Sequence, residues 1–179
     1  MNAPMSTPRI CHAEHLPGTV AQDAHVSVLI VGGGACGLTA ALMLHDAGVD
    51  CAVLERDATP LGSSALSSGF IPAPGTQAQR AAGIDDSPER FAADISAKAK
   101  GMAAPHLVRA YAQAIGPALD ALQARHGLQW QVLDGFLYPG HSVRRMHATP
   151  EKTGVGLMGR LANAVTAADI PLITEATVR

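Results

Sequence analysis

The sequence predicts an α/β fold, because a complete βαβ unit lies near its start. The apolar run VSVLIV at residues 26–31 indicates a strand that is buried on both faces. Small and aliphatic residues at 35–47 predict a buried helix that Gly48 ends, and VDCAVL at 49–54 predicts a second strand. A strand, a tight glycine turn, a helix and a parallel strand in this order predict a Rossmann-like core.

Further helices and short strands are predicted around this core. Residues 56–83 are rich in Gly, Ser and Pro, which predicts a loop. A helix is predicted from Ser87 to about Lys100, with Ser87 as its cap and Pro88 in the favoured first position. The remaining predictions are a helix at 105–126 that Gly116–Pro117 should kink or split and Gly127 should end, strands at 129–133 and 136–138, a helix at 153–168, and a closing strand at 171–179.

The composition excludes several classes of function. The chain is 47% hydrophobic and 16% charged, so it can bury a core. A net charge of −2 and only 3% aromatic residues argue against nucleic-acid binding. No apolar run is long enough to cross a membrane. Residues 1–24 have no signal-peptide core and are predicted to form a flexible tail. Three cysteines without a C-x-x-C pair favour a cytoplasmic protein.

The glycine turn carries the first chemical signal. Gly32, Gly34 and Gly37 satisfy the pattern G-x-G-x-x-G. The first glycine allows the sharp turn, the second lets the backbone approach a pyrophosphate, and the third lets the helix pack on the strand. The helix then directs its N–H groups and dipole at the phosphates. Cys36 lies within the turn, where filling a small-residue position is favoured over redox chemistry of its thiol.

Glu55, at the end of the second strand, stands where an acid binds the hydroxyls of an adenosine ribose. The alternative is a solvated charge beside a purely structural turn. The acid favours a ribose with a free 2′-OH, and Arg56 beside it is assigned to solvent. The turn alone leaves NAD and FAD open. The serine-rich stretch that follows offers hydroxyl and N–H donors to a pyrophosphate and a flavin, or is a surface loop.

Longer motifs add a family resemblance. The segments VGGGACGLTAALMLHDAG, CAVLERD, GSSALSSGFI, GIDDSPERFAADI, YPGHSVRRMH, TGVGLMGRLANAV and IPLITEATV occur in this order. Together they resemble the FAD-binding domain of the succinate dehydrogenase/fumarate reductase flavoprotein family, which includes ketosteroid dehydrogenases and soluble fumarate reductases. The resemblance covers residues 26–179. It therefore implies that residues 25–179 form the N-terminal part of an FAD-binding domain.

The resemblance also implies roles for individual residues. The Cys36 backbone would face the pyrophosphate, Glu55 the adenosine ribose, Ser63 and Ser64 the pyrophosphate and ribityl chain, Ser68 and Gly69 the isoalloxazine ring, and the Val178 backbone the adenine edge. Ser63 stands where some members link FAD covalently to a histidine, which implies noncovalent FAD. Phe70 departs from the family, where a second glycine is common.

The implied activity is that of a flavin-dependent oxidoreductase, which transfers hydride through flavin N5 to or from a small-molecule substrate. The family's substrate-covering domain and the rest of its FAD domain have no counterpart here. The resemblance thus predicts an incomplete parallel sheet, and a chain that alone binds FAD weakly at most and has no turnover. The alternative is a non-catalytic nucleotide-binding fragment or one half of a split flavoprotein, with a partner chain or self-association at the exposed sheet edge. An NAD-binding regulator is disfavoured by the serine segment.

Three other polar groups occur in the sequence. One is formed by His141, Arg144, Arg145 and His147, and it is either an active-site or flavin-facing loop or a solvated loop with hydrogen-bonded histidines, of which the second is favoured. Asp85 and Asp86 are interpreted as charges at a helix entry. CHAEH at residues 11–15 holds potential ligands, but no metal site is predicted.

Overall fold

The computed structural model describes residues 25–178, which contain six strands and six helices. In chain order these are β1 (Val28–Val31), α1 (Ala35–Asp46), β2 (Cys51–Leu54), α2 (Gly62–Leu66), β3 (Ile71–Pro72), α3 (Gln77–Ala81), α4 (Pro88–Lys98), α5 (Pro105–His126), β4 (Gln131–Val132), β5 (Met146–Ala148), α6 (Gly154–Ala167) and β6 (Leu172–Ile173). The predicted tail and the CHAEH segment lie outside the described residues.

A parallel sheet with the order β1-β2-β6 confirms the predicted α/β fold. Its inner face packs on α1 and α6. The residues that share this core are apolar and almost fully buried: Leu38, Leu42, Val53, Leu157, Leu161 and Val165. Because strand side chains alternate between faces, Val28 and Ile30 of β1 point to the same core. The sheet is small and incomplete, as predicted.

The outer face of this sheet is open, and the prediction that the first strand is buried on both faces is wrong. Leu29 is 53% exposed and Val31 is 65% exposed. The two side chains alternate with the core residues of β1, and Leu29 pairs in register with Ala52 of β2. Ile173 of β6 is also half exposed. The apolar run therefore reflects a strand whose second face no part of residues 25–178 covers.

Residues 56–83 are not one loop, as the sequence predicted, but contain α2, β3 and α3. Helix α3 begins with a capping box: the Thr76 hydroxyl accepts from the Gln79 N–H, and the Gln79 side chain accepts from the Thr76 N–H. The high glycine and proline content of the segment predicted a loop, but these residues still permit helices of one or two turns between them.

The second sheet is antiparallel, with the order β3-β5-β4. The strand predicted at 129–133 is confirmed as the shorter β4, whereas the strand predicted at 136–138 is wrong. Phe136, Leu137 and Tyr138 are each 44–51% exposed, so their apolar character does not mark a paired strand. The partner of β4 is instead β5, in a segment that the polar sequence RRMH predicted to be a loop.

Helix α5 runs unbroken from Pro105 to His126, so Gly116–Pro117 does not split it. A Cβ added at Gly116 would overlap the Pro74 carbonyl oxygen, which identifies a close contact between the helix and the chain before α3. Gly127 ends the helix in the left-handed conformation with φ 69°, as predicted. Among the described helices, none combines the length and apolar character needed to cross a membrane.

Candidate functional site

The glycine turn has the predicted conformation between β1 and α1. Gly32 has φ +105°, a region that favours glycine, and its N–H donates to the Leu54 carbonyl at 2.7 Å. A Cβ added at Gly37 would overlap the Gly32 carbonyl oxygen. Gly37 is therefore required for the close approach of α1 to the turn, in agreement with the reason given for its spacing.

Gly34 leaves space in front of the α1 N-terminus. It caps α1 in an extended conformation without a side-chain cap, and the first turn of the helix has no acidic residue. A Cβ added at Gly34 would find only the Ser64 hydroxyl within 4 Å, at 3.8 Å. The Cys36 thiol is exposed in the same turn. A helix N-terminus whose cap residue has no side chain, with a clear approach, has the polarity and the room that an anionic group needs.

The Glu55 carboxylate is fixed against this turn by two backbone donors. Its Oε2 accepts from the Gly33 N–H at 2.7 Å, and its Oε1 accepts from the Asp57 N–H at 2.9 Å. These bonds, led by the one from Asp57, lower the pKa of Glu55 below its ordinary value, so the group is ionised at neutral pH. Each carboxylate oxygen keeps a free acceptor position, which suits a pair of neighbouring hydroxyls.

Gly33 is a tightly packed position beside Glu55 that the sequence interpretation missed. A Cβ there would lie 2.9 Å from the Pro60 Cβ and 3.1 Å from Glu55 Oε2. The third consecutive glycine was the available signal, since the motif itself requires only its two neighbours.

The serine segment, residues 62–69, consists of helix α2 and the three residues after it, and it lies beside the glycine turn. The Ser64 hydroxyl accepts from the Ala35 N–H at 3.3 Å, which links α2 directly to the start of α1. Ser63 and Ser68 are exposed. Gly69 is buried with φ +67°, and a Cβ there would lie 2.6 Å from the Thr153 carbonyl oxygen. The structure thus brings Ser64 to the glycine turn, while the assignments of Ser63 and Ser68 stay predictions.

Val178 lies beyond the last strand, because β6 ends at Ile173 and not at the predicted residue 179. The segment before it returns to the Glu55 edge, where the Ala176 N–H donates to the Glu55 carbonyl at 2.9 Å. Val178 itself is 53% exposed. The assignment of the Val178 backbone to the adenine edge stays a prediction.

The polar cluster of residues 141–147 is only partly solvated, because its last three residues are buried. Arg145 and His147 are fully buried, and Arg144 is exposed. His147 Nε2 lies 2.7 Å from the Thr76 hydroxyl, and its Nδ1 lies 2.9 Å from the Arg145 carbonyl oxygen. Burial lowers the pKa of His147 and keeps the ring neutral. Its ring nitrogens are both engaged within the protein.

Arg145 binds two carboxylates in the interior. It donates to Asp86 at 2.8 and 2.9 Å, and it also pairs with Asp94. Burial raises the pKa of Asp94, but hydrogen bonds from Arg145 and Ser142 outweigh it and lower that pKa overall. The guanidinium also stacks 4.8 Å from the centre of the Phe91 ring. Asp86 is thus not the simple helix-entry charge that the sequence indicated, although its Oδ1 does accept from the Ser87 N–H.

No group of three or more His, Cys, Asp or Glu residues within 25–178 has an arrangement that suits a metal ion.

A family model described as an FAD-binding domain matches residues 27–179. The chain belongs to this FAD-binding domain family. A urocanate reductase from Eggerthella lenta is 32% identical over 136 residues, which is 76% of this chain and 22% of the relative. An acrylate reductase flavoprotein subunit from Shewanella woodyi is 33% identical over 158 residues, or 86% of this chain and 30% of the relative.

Solved structures agree with this family. The open conformation of a flavocytochrome c3 fumarate reductase superposes with a TM-score of 0.74 at 25% identity, covering 84% of this chain and 26% of that chain. A 3-ketosteroid-Δ4-(5α)-dehydrogenase from Rhodococcus jostii shares the fold, with a TM-score of 0.69 at 24% identity over 88% of this chain and 39% of that one. The chain spans less than a third of the length of the urocanate reductase and of the acrylate reductase subunit.

FAD is the cofactor of this domain type, and the residues present fit it. The space in front of Gly34, which a side chain would fill, suits a pyrophosphate. The ionised Glu55 carboxylate offers two free acceptor positions beside that space.

Proposed function

We propose that this chain holds FAD noncovalently, with the glycine turn and Glu55 on its adenosine diphosphate half. The observation that carries the proposal is the position of the Glu55 carboxylate. Two backbone N–H groups, one of them from Gly33 in the turn before α1, fix it beside a helix start whose cap residue has no side chain. A diphosphate joined to a ribose presents an anion for such a helix start and a pair of hydroxyls for such an acid.

The pyrophosphate is assigned to the glycine turn. Gly32 supplies the turn, Gly37 supplies the close packing of α1, and Gly34 leaves the approach clear. The Cys36 backbone N–H lies in the first turn of α1 and is a donor to a phosphate oxygen, while its thiol has no assigned role. These four residues contribute backbone geometry, which explains why the site needs small side chains.

The ribose is assigned to Glu55 and the adenine edge to the Val178 backbone. Two of the carboxylate's acceptor positions are used by Gly33 and Asp57, and the other two accept the 2′- and 3′-hydroxyls. The hydrogen bond from Ala176 to the Glu55 carbonyl supports the assignment of Val178, because it holds the last described residues at the same edge.

The flavin side is assigned to Ser63 and Ser64 near the ribityl chain and to Ser68 and Gly69 near the ring. The link from Ser64 to the start of α1 supports this order along the cofactor. Phe70 is accommodated because its side chain packs on Leu133, Met146 and Ala148 of the second core. A serine at position 63, where a covalent histidine would stand, supports a noncovalent flavin.

For the whole protein, we propose a flavin-dependent oxidoreductase that acts on a carbon–carbon bond of a small molecule, of fumarate reductase or ketosteroid dehydrogenase type. When bound, FAD supplies hydride transfer at flavin N5. The similarity to a urocanate reductase and to an acrylate reductase supports reduction of an unsaturated small molecule. Arg145 and His147 are not proposed as catalytic residues, because their polar atoms are engaged in the interior.

The second candidate is nucleotide binding without turnover by these 179 residues. It is favoured by the 22–30% of each of those two relatives that the chain matches. An assay with FAD, a reduced dye and acrylate, fumarate or urocanate separates the two candidates. Turnover above the background of free flavin favours the enzyme, and saturable FAD binding without turnover favours the binding fragment.

Replacing Glu55 with Gln should weaken FAD binding by about 1–3 kcal/mol, because a charged acceptor of two hydroxyls becomes a neutral one with a single acceptor oxygen. Titration of FAD followed by flavin fluorescence measures the change. Glu89→Gln, in the first turn of α4, is the matched control and should bind FAD like the parent. Equal affinity of Glu55→Gln and the parent would remove the ribose assignment.

The affinity of the parent should also depend on pH through Glu55. The pKa of Glu55 is lowered, so its carboxylate remains ionised as the pH falls from neutral until it reaches this lowered pKa. The affinity for FAD should fall only when the pH drops through that value, because the carboxylate is then protonated. The Gln variant should lack that fall. A parent and a variant with the same acid limb in a pH series of titrations would contradict the role of the charge.

A further inference from the structure

The start of α6 packs against the C-terminal end of α2. The Gly154 N–H donates to the Ser67 carbonyl oxygen at 2.9 Å, and Gly154 is buried. A Cβ at Gly154 would overlap the Ser64 carbonyl oxygen and lie 2.6 Å from the Ser67 carbonyl oxygen and 2.8 Å from that of Ala65. Three backbone carbonyls of the serine segment thus meet one glycine, and backbone atoms cannot move aside as a flexible side chain can.

The serine segment is tied internally, so a shift at its end is transmitted along it. The Ser67 hydroxyl donates to the Ser64 carbonyl at 2.7 Å and accepts from the Gly69 N–H at 3.0 Å. At the other side, the Ser64 hydroxyl accepts from the Ala35 N–H at the start of α1. The contact at Gly154 therefore ties α6 to a segment that also contacts the start of α1.

We infer that Gly154 is a positioning residue of the cofactor site, which holds the serine segment at the distance from α1 that the flavin half of FAD requires. This inference rests on the proposed function. Gly154 touches no cofactor atom in this account. Its missing side chain permits the contact between α6 and α2, whereas the glycine turn and Glu55 are built on β1, β2 and α1.

The test compares Gly154→Ala with Gly159→Ala in the same helix, where an added Cβ meets nothing within 4 Å. Gly154→Ala should bind FAD about tenfold or more weakly than the parent. The fluorescence of its bound flavin should be quenched to a different extent than in the parent. Its affinity for ADP should stay within about threefold of the parent's affinity. Gly159→Ala should match the parent with both ligands. Unchanged FAD affinity, or an equal loss for FAD and ADP, would overturn the inference.

If Gly154→Ala does not fold, amide hydrogen exchange measured on the parent tests the positioning role instead. FAD should slow exchange in a peptide that spans 154–158 as well as in the glycine turn, and ADP should slow only the turn. Slowing of the turn alone by FAD overturns the inference. If the parent binds FAD and Glu55→Gln weakens it, a normal Gly154→Ala variant refutes only the positioning role. A parent that binds no FAD refutes the proposed function and the inference with it.

Discussion

Gly34→Val should leave the protein folded and reduce its affinity for FAD by about a hundredfold or more, equivalent to roughly 3 kcal/mol. Folding is preserved because Gly34 is extended, a conformation that valine favours, and an added Cβ has no neighbour closer than the Ser64 hydroxyl at 3.8 Å. Binding is lost because the same side chain fills the space through which a pyrophosphate reaches the start of α1. Flavin fluorescence titration and circular dichroism report the two properties separately.

Gly135→Val is the matched control, since Gly135 is exposed and an added Cβ there meets nothing within 4 Å. It should bind FAD as the parent does. If Gly34→Val is folded and also binds FAD like the parent, the pyrophosphate site lies elsewhere and the assignment of Gly32, Gly34 and Gly37 fails together.

Arg145→Met should destabilise the protein by about 3–5 kcal/mol, the usual result of removing one member of a buried ion pair. The side chains of Arg145 and Asp86 are both fully buried, and their pairing joins β5 to the segment before α4. Without Arg145, the Asp86 carboxylate remains in the interior without its cationic partner. Denaturant unfolding is followed through Trp130, the single tryptophan, whose ring nitrogen donates to the Leu119 carbonyl at 2.9 Å.

Two further variants identify the cause of that loss. Asp86→Asn combined with Arg145→Met should recover part of the stability, because the unpaired charge is removed. Arg56→Met, whose side chain is 73% exposed, should change the free energy of unfolding by only about 0.5 kcal/mol or less. A loss in Arg145→Met no larger than in Arg56→Met would contradict a structural role for the buried cluster.

The sequence predicted the βαβ unit well because each of its signals is local. A continuous apolar strand, three spaced glycines and an acid at the next strand end depend on neighbours within the unit, and the structure contains β1, α1 and β2 where they were expected. The bounds of α5 were confirmed for a similar reason, since proline at its first position and Gly127 at its end are local signals.

Non-local pairing explains what the sequence could not predict. Met146–Ala148 became a strand through its partners Ile71–Pro72 and Gln131–Val132, which lie far away in the chain. Arg145 and His147 looked like solvent-facing residues because Asp86, Asp94 and Thr76 are separated from them by dozens of residues. The exposed Leu29 and Val31 show the converse, since an apolar strand does not reveal whether both of its faces are covered.

The most direct test of the central claim is a ¹⁵N–¹H NMR titration of the 179-residue chain with ADP and then with FAD, because it detects weak binding residue by residue. We expect saturable shifts of the amides of Gly34, Ala35 and Cys36 with both ligands, and weaker saturation by both in Glu55→Gln. Additional shifts at Ser64 and Gly69 should appear with FAD. Saturable shifts elsewhere with an unchanged glycine turn, or no saturable shift with either ligand, would contradict it.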